Sequence, residues 1–268
     1  MYGTHTRGWI AALNDQAPIW RVVGAEIRTL PGLSAAEFSE IDPIDDNTIV
    51  IPLMENHITS CPRRYRSLFP KQEAIKLLSN KKAFSDYLIA NGLEHLAPKA
   101  YSVDDVEFPC VIKRLDLNAG TGVEIVRNKE ELRSFLATKP WLGHPVILQE
   151  YIESDFDFVT HAVCRAGEIV WRCTYRLSIE PRGAIQRPNN TVARTKVDMP
   201  DHIYEALQSL VAPLHYDGPL NFDYKLTGDN QLQVVEINPR LGGSLLAKAN
   251  MSDLAEAIGA ICRFSYKP

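Results

Sequence analysis

Residues 219–244 read PLNFDYKLTGDNQLQVVEINPRLGGS, and this stretch decides the fold prediction. Apolar and polar residues alternate over 221–226 and again over 231–237, and the cluster TGDN lies between the two runs. Alternation is typical of a half-buried strand, and a cluster of Gly, Asp and Asn is typical of a turn. The stretch therefore predicts a β-hairpin.

Three oxygen-bearing side chains lie on this hairpin: Asp223 on the first strand, and Glu236 and Asn238 at the end of the second. Residues two apart on a strand point to one face, and the turn brings Asp223 near the register of Glu236. The three side chains then converge as Mg²⁺ requires, with Mn²⁺ as an alternative. The competing interpretation is ordinary solvated carboxylates, with Asn-Pro ending the strand.

The residues that follow favour an anionic ligand beside the cation. Arg240 is a ready clamp for a carboxylate or phosphate, since its guanidinium binds such groups in a bidentate manner. Gly242 and Gly243 allow the backbone to approach a ligand closely, and Ser244 adds a hydroxyl. We expect these three residues to contact the substrate.

Composition limits the classes of function. The 268-residue chain has a net charge of −4, with 45% hydrophobic and 23% charged residues, which is typical of a globular protein with no electrostatic drive toward nucleic acid. We find no apolar run long enough to span a bilayer and no signal-peptide core, so no membrane partner is expected. Five scattered cysteines without C-x-x-C spacing indicate reduced thiols and a cytoplasmic protein.

Lysines in two upstream segments are placed to contact phosphate. The pattern after residue 70 predicts two helices, and Asn80 caps the second, so Lys81 and Lys82 fall in its first turn. Lys113 ends a strand over 108–113 and precedes a loop that contains Gly120 and Gly122. Such a lysine and loop can clamp phosphate oxygens, although the same glycines would serve an ordinary hairpin turn.

The rest of the chain divides into further predicted elements. Strands are expected over 48–53, 123–126 and 145–151, a helix over 128–138, a hairpin over 156–176 that turns at Ala166-Gly167, and a helix over 201–215. The Pro-, Arg- and Asn-rich residues 178–200 predict a long mobile loop. Within it, Arg194 and Lys196 are the cations favoured for a substrate, and Glu55, after the first strand, is a further candidate.

The string VVEINPRLGGS, with an Asp thirteen residues before its Glu, resembles the metal-binding core of the ATP-grasp superfamily, carboxylate–amine ligase type. The resemblance extends in order from about residue 80 to 244. It implies an α+β / α/β ATP-grasp fold, with two α+β lobes sandwiching ATP and a small N-terminal α/β lobe. The implied domains are a shortened N-terminal lobe over 1–75, a first lobe over 76–153 and a second lobe over 154–268.

The resemblance also implies roles for individual residues. Arg240 and Lys113 would be catalytic, and Lys81 rather than Lys82 would meet phosphate. Asp223, Glu236 and Asn238 would hold the metal. The nucleotide-binding positions are Lys81, Lys113, Asn118, Gly120, Thr121, Gly122, Glu150, Tyr151, Ile152 and Asp157. Among these, the backbone of 150–152 would hold adenine, and Asp157 would accept hydrogen bonds from the ribose hydroxyls.

The implied activity is that of an ADP-forming carbon–nitrogen ligase. It would activate a small carboxylate, such as an amino acid, as an acyl phosphate and join it to an amine, using ATP and Mg²⁺. Two alternatives remain: an ATP-grasp enzyme with a different nucleophile, and a nucleotide-binding sensor or partner subunit without turnover. A homodimer is expected, and another chain could complement the short N-terminal lobe.

Overall fold

A computed structural model describes residues 49–51, 55–61, 66–117, 122–187 and 189–265 of the chain. Its helices are α1 (Glu55–Ser60), α2 (Gln72–Leu78), α3 (Lys81–Ala90), α4 (Lys129–Ala137), α5 (Asp201–Val211) and α6 (Met251–Phe264). Its strands are β1 (Ala100–Tyr101), β2 (Cys110–Arg114), β3 (Val123–Val126), β4 (Val146–Glu150), β5 (Phe156–Arg165), β6 (Glu168–Ile179), β7 (Thr191–Val197), β8 (Gly218–Leu226) and β9 (Leu232–Asn238). The mixed α+β class is confirmed.

The strands form two antiparallel sheets. The first has four strands in the order β1-β4-β2-β3. Its core contains Cys110, Ile112 and Val126 from the strands, with Leu132 from α4 and Trp141 after it. Leu132 lies on the apolar side of an otherwise charged helix, so α4 covers this sheet with one narrow stripe.

The second sheet has five strands in the order β7-β6-β5-β8-β9. One of its core clusters joins the sheet to α6, through residues such as Val163 and Leu254. The other joins it to α2, α3 and α5, through residues such as Leu207 and Phe222. Because helices cover both faces, the central strand β5 is buried along most of its length, and Thr160 and His161 are fully buried with it.

Local capping follows the sequence. The Asn80 side chain accepts from the backbone N–H groups of Lys82 and Ala83, each at 3.0 Å, and so starts α3. Asn128 accepts from Glu131 N at 2.8 Å and starts α4. The β5–β6 hairpin turns at Ala166 and Gly167, which both have positive φ. The predicted Asn80 cap and the predicted turn at Ala166-Gly167 are confirmed, and α4 lies within the helix expected over 128–138.

Three expectations about elements need correction or fall outside the described ranges. The prediction of a loop over 178–200 was wrong, because β6 continues to Ile179 and Thr191–Val197 pairs with it as an edge strand. Its β-branched residues favour a strand, and the neighbouring Pro and Asn cluster concealed it. Helix α6 was not predicted. Of the strand over 48–53, the structure describes only an isolated bridge between Ile49 and Arg66, and most of residues 1–75 lies outside the described ranges.

No helix within the described residues is long and apolar enough to cross a membrane.

We expect Leu254→Ala to lower the free energy of unfolding by about 2–5 kcal/mol, because its fully buried side chain joins α6 to the five-stranded sheet. Urea unfolding followed by circular dichroism measures the change. Leu142→Ala is the matched control, since Leu142 is 56% exposed and its truncation should change stability by less than about 0.5 kcal/mol. Equal losses for the two variants would contradict this packing.

Candidate functional site

The β8–β9 hairpin places two carboxylates face to face. Asp223 lies directly opposite Glu236, and a β-bulge follows, so that Tyr224 pairs with Val234 and Val235 is the extra residue. The bulge changes which side of β9 faces the core. Val234 and Ile237 both point into the apolar cluster, three residues apart, while Glu236 points to the opposite side with Asp223. The predicted register between Asp223 and Glu236 is therefore present.

Amide groups surround the Asp223 carboxylate. It accepts a hydrogen bond from Asn238 Nδ2 at 2.9 Å and another from Asn221 Nδ2 at 3.2 Å. Burial raises the pKa of Asp223 to about 8, the nearby Glu236 carboxylate adds to the rise, and Arg240 opposes it. Two carboxylates that share a buried space cannot both ionise cheaply without a cation between them.

This donor set fits a hard divalent cation. No cluster of three His, Cys, Asp or Glu side chains suited to a metal occurs in the described ranges, so the site consists of two carboxylates and an asparagine oxygen. Asn238 Oδ1 accepts from Arg240 Nη2 at 3.2 Å and keeps a second lone pair. Oxygen ligands of this kind suit Mg²⁺ or Mn²⁺.

A cavity of about 150 Å³ lies between the two sheets, beside the carboxylate pair. Its lining includes Lys113 from β2 and the linker residues Tyr151 and Ile152. Lys113 is buried, and this burial lowers its pKa to about 8; Lys81 and Lys225 act in the same direction, and Glu236 opposes them. A cavity with several buried cations at one end is suited to a polyphosphate.

The structure distinguishes the two adjacent lysines at the start of α3. Lys81 lines the smaller cavity, and its ammonium donates to Leu117 O at 3.2 Å, at the beginning of the glycine-containing loop. Lys82 instead forms an exposed ion pair with Asp86, at 2.7 Å. The side chain available to a ligand in the cavity is therefore that of Lys81.

The carboxylate expected to contact ribose already has a partner in this cavity. Asp157 lines it, as predicted for a ribose contact, but its carboxylate is already ion-paired with Lys225. Both side chains are largely buried. Lys225 was missed in the sequence, although it is two residues after Asp223 on the same strand and must share its face.

The segment 180–187 connects the two sheets across the cavity. Tyr151, in the linker after β4, donates its hydroxyl to Gly183 O at 2.8 Å. Arg187 donates to Val123 O at 3.1 Å and to the Glu124 carboxylate at 2.7 Å, both on β3. The segment thus lies between the five-stranded sheet from which it emerges and the edge of the four-stranded sheet.

A second, larger cavity of about 580 Å³ adjoins the first. Asp223 and Glu236 line both cavities, so the carboxylate pair lies at their junction. Arg240 lines the larger cavity and donates to the Glu55 carboxylate at 2.8 Å. The remaining predicted substrate residues on its wall are Arg194, Gly242, Gly243 and Ser244.

Other predicted residues are placed elsewhere or lie outside the described ranges. Lys196 is not among the residues that line the larger cavity; its ammonium lies 2.5 Å from Asp253 Oδ1 on α6. Asn118, Gly120 and Thr121 fall outside the described residues. Gly122 has φ +68°, and a Cβ there would lie 2.8 Å from the Leu117 side chain, so this position requires glycine.

Three polar residues that the sequence did not single out also line these cavities. Asn221 and His161 are cross-strand partners on β8 and β5, and both line the larger cavity. Gln186 lines both cavities. Asn221 could have been found from the alternation of β8, since it shares a face with Asp223. His161 gave no such signal, because β5 reads as a continuous buried strand.

Comparison with curated proteins supports this arrangement. A stretch of 209 aligned residues is 27% identical to the carbamoyl phosphate synthase large chain of Mycobacterium bovis. That match covers 70% of this chain and 18% of the relative, so the chain spans less than a fifth of the length of the relative it matches.

Two solved structures share the fold. Phosphoribosylamine–glycine ligase from Thermotoga maritima aligns with a TM-score of 0.71 at 17% identity, over 100% of this chain and 75% of that one. D-alanine–D-alanine ligase from Bacillus anthracis, complexed with ATP, aligns with a TM-score of 0.64 at 17% identity, over 98% and 95% of the two chains. The ATP-grasp domain family matches residues 78–244, which is more than half of the sequence. The chain belongs to the ATP-grasp family.

Proposed function

We propose that this protein is an ATP- and Mg²⁺-dependent ligase that joins a small carboxylate to an amine and releases ADP and phosphate. The observation that carries the proposal is the position of Asp223 and Glu236 at the junction of two cavities. One cavity contains buried lysines, and the other contains Arg240. A phosphoryl group at the junction would face a carboxylate held on the arginine side.

Lys113 and Lys81 would bind the phosphates of ATP, and the backbone of Glu150, Tyr151 and Ile152 would hold adenine. Asp157 would exchange its contact with Lys225 for the ribose hydroxyls. Asp223, Glu236 and Asn238 would hold Mg²⁺ or Mn²⁺. The metal would neutralise the triphosphate when bound. The family relationship and the ATP complex of the similar D-alanine–D-alanine ligase support a nucleotide in this cavity.

The chemistry follows from the two cavities. A substrate carboxylate held by Arg240 attacks the γ-phosphorus, the bond to the β-phosphate oxygen breaks, and ADP leaves. The amine nitrogen then attacks the acyl carbon, phosphate departs with the electron pair of the carbon–oxygen bond, and the nitrogen loses a proton to the departing phosphate as the amide forms. Arg240 stabilises the charge that develops on the transferring group. The protein supplies positioning and charge, since no Ser–His–Asp or Cys–His nucleophile set is needed.

We further propose that the carboxylate substrate is an amino acid or a peptide-like acid. We also propose that the first lobe comprises residues 76–153 and the second lobe residues 154–268. The shortened lobe over 1–75, the cytoplasmic location and the homodimer stay predictions. A different nucleophile, or nucleotide binding without turnover, are the other functions that this site can accommodate. Phosphate release with acid–amine pairs separates them from the ligase.

The first measurement is calorimetric binding of ATP with and without Mg²⁺. We expect Glu236→Ala to weaken the Mg²⁺-dependent part by more than about tenfold, which corresponds to 1.4 kcal/mol, because one of two carboxylate ligands is lost. Glu205→Ala, on the exposed side of α5, is the control and should bind as the wild type does. Equal binding by both variants would contradict the metal site. With binding established, acid–amine pairs are screened for phosphate release.

Lys81 and Lys82 provide a matched pair for the phosphate contact. We expect Lys81→Ala to weaken ATP binding roughly tenfold, since a charge-assisted hydrogen bond contributes about 1.5–3 kcal/mol. Lys82→Ala should change the affinity less than about twofold, because that side chain pairs with Asp86 in solvent. Calorimetry on the two variants measures the difference, and a larger effect from Lys82 would show that the assignment of the phosphate contact is wrong.

The raised pKa of Asp223 predicts the pH dependence of metal binding. Below pH 8 this carboxyl holds a proton that the metal must displace, so affinity should rise with pH. We expect Mn²⁺ to bind more than about tenfold tighter at pH 7.5 than at pH 6.0. Water-proton relaxation in the absence of nucleotide measures this affinity. Asp223→Asn should bind weakly at both pH values, and an equal affinity of the wild type at both would contradict the prediction.

A further inference from the structure

His161 and Ser244 form a hydrogen-bonded pair in the wall of the larger cavity. Their Nε2 and Oγ atoms lie 2.6 Å apart. The imidazole is fully buried, with its edge against the Tyr175 ring at 5.9 Å between centroids, whereas Ser244 is half-buried and lines the cavity. Asn250 Nδ2 holds the backbone of Ser244 by donating to its carbonyl oxygen at 2.9 Å. The pair is therefore fixed at the edge of the space where a substrate would lie.

Two buried polar atoms beside this pair have no hydrogen-bond partner among the described residues: His161 Nδ1 and Asn221 Oδ1. Both belong to cross-strand partners, and both face Gly242, where an added Cβ would lie 2.9 Å from each of them. They therefore border the same small space, from which solvent is excluded. A buried polar atom without a partner is costly, so the mutual orientation of these two atoms matters.

The orientation of the Asn221 amide is set by the metal site. Its Nδ2 donates to the Asp223 carboxylate at 3.2 Å, and with that carboxylate ionised, as a bound cation requires, turning the amide over would place an oxygen against it. With Nδ2 on Asp223, Oδ1 borders the same small space beside Gly242 as His161 Nδ1. A lone pair on His161 Nδ1 would then oppose the lone pairs of Oδ1, whereas an N–H at Nδ1 complements them.

The imidazole is neutral, because its burial lowers the pKa of His161 to about 3, with Arg240 acting in the same direction and Asp253 opposing. A neutral imidazole has one N–H and one lone pair. With the proton at Nδ1, Nε2 must accept, so the Ser244 hydroxyl donates its proton inward. The lone pairs of Ser244 Oγ are then left to face the cavity.

We propose that Ser244 is a substrate contact that accepts a hydrogen bond from the amino group of an α-amino acid, and that Asn221 and His161 are positioning residues that fix this polarity. Arg240 and Arg194, in the same cavity, would attract the carboxylate of that amino acid. The proposal rests on the proposed ligase function for its substrate class. The polarity of the three side chains rests on their contacts and on the neutral state of the buried imidazole, and not on the ligase function.

The polarity is measured first, without turnover. Long-range ¹H–¹⁵N spectra of ¹⁵N-histidine-labelled protein, with Mg²⁺ and ADP present, report which nitrogen carries the proton. The chain has seven histidines, and His161→Gln identifies the signal of interest. We expect a protonated Nδ1 and an unprotonated Nε2. The opposite tautomer would overturn the proposal.

A second variant tests whether Asn221 sets the tautomer. Asn221→Leu removes the acceptor that faces Nδ1, and we expect the Nε2-protonated form to become populated. The other six histidine signals, if unchanged, show that the variant is folded. An unaltered Nδ1–H form in a folded Asn221→Leu protein would overturn the role of Asn221, since a structural role alone would not change the tautomer.

The amine contact is tested by binding. Protein saturated with Mg²⁺ and ADP is titrated with the twenty L-amino acids and with the matching acids that lack the α-amino group. We expect Ser244→Ala to weaken the binding of the amino acid by about 10- to 100-fold, because a hydrogen bond to a charged group is lost. The affinity for the acids without an amine should be unchanged. Ser244→Thr keeps the hydroxyl and should retain affinity within about threefold. Ser209→Ala, on α5, is the control.

The outcomes separate this inference from the ligase function. Equal weakening of amino acids and of amine-free acids by Ser244→Ala would show Ser244 as a donor to carboxylate and overturn the proposal. A wild-type protein that binds ATP with Mg²⁺ but binds none of the twenty amino acids would also overturn the proposal. Failure of the ligase function appears instead as absence of Mg²⁺-dependent ATP binding, and the histidine spectra do not depend on that result.

Discussion

The repulsion between two buried carboxylates governs the layout of this site. Asp223 and Glu236 face each other across one hairpin, in a space with little solvent. Charges there are screened less than they would be in water. Cations accordingly surround them: Lys113 and Lys225 on one side, and Arg240 on the other. The same arrangement that makes the pair unfavourable in isolation would, under the proposed function, favour a divalent cation that carries further negative ligands.

The hairpin was predictable because its oxygen-bearing side chains and its alternation of apolar and polar residues indicate the same structure. The alternation of apolar and polar residues predicted the two strands, and the cluster TGDN predicted the turn. Strand geometry then predicted that Asp223 and Glu236 face each other. The bulge was harder to foresee, although the adjacent pair Val234-Val235 interrupts the alternation of β9 and is its signature. A bulge allows one strand to present apolar residues to the core on both sides of it while keeping Glu236 on the functional face.

Other parts were hidden for identifiable physical reasons. Strand β7 lies at a sheet edge, so its mostly exposed residues show little apolar periodicity, and the preceding Pro and Asn residues favour a loop. His161 is buried in a strand covered on both faces, where composition does not distinguish a functional side chain from a core one. Local sequence placed both Lys81 and Lys82 in the first turn of α3, and only their contacts in the folded chain distinguish them: Lys81 donates to Leu117 O, whereas Lys82 pairs with Asp86.

The segment 180–187 has a consequence for the rates of binding. It joins the sheets through the contacts of Tyr151 with Gly183 and of Arg187 with Glu124, and it forms one wall of the smaller cavity. A ligand that enters by that side must wait until these contacts break. Their strength then affects association and dissociation alike, and changes residence time more than equilibrium affinity. Because the Arg187–Glu124 pair is half-exposed, added salt would shorten that residence time.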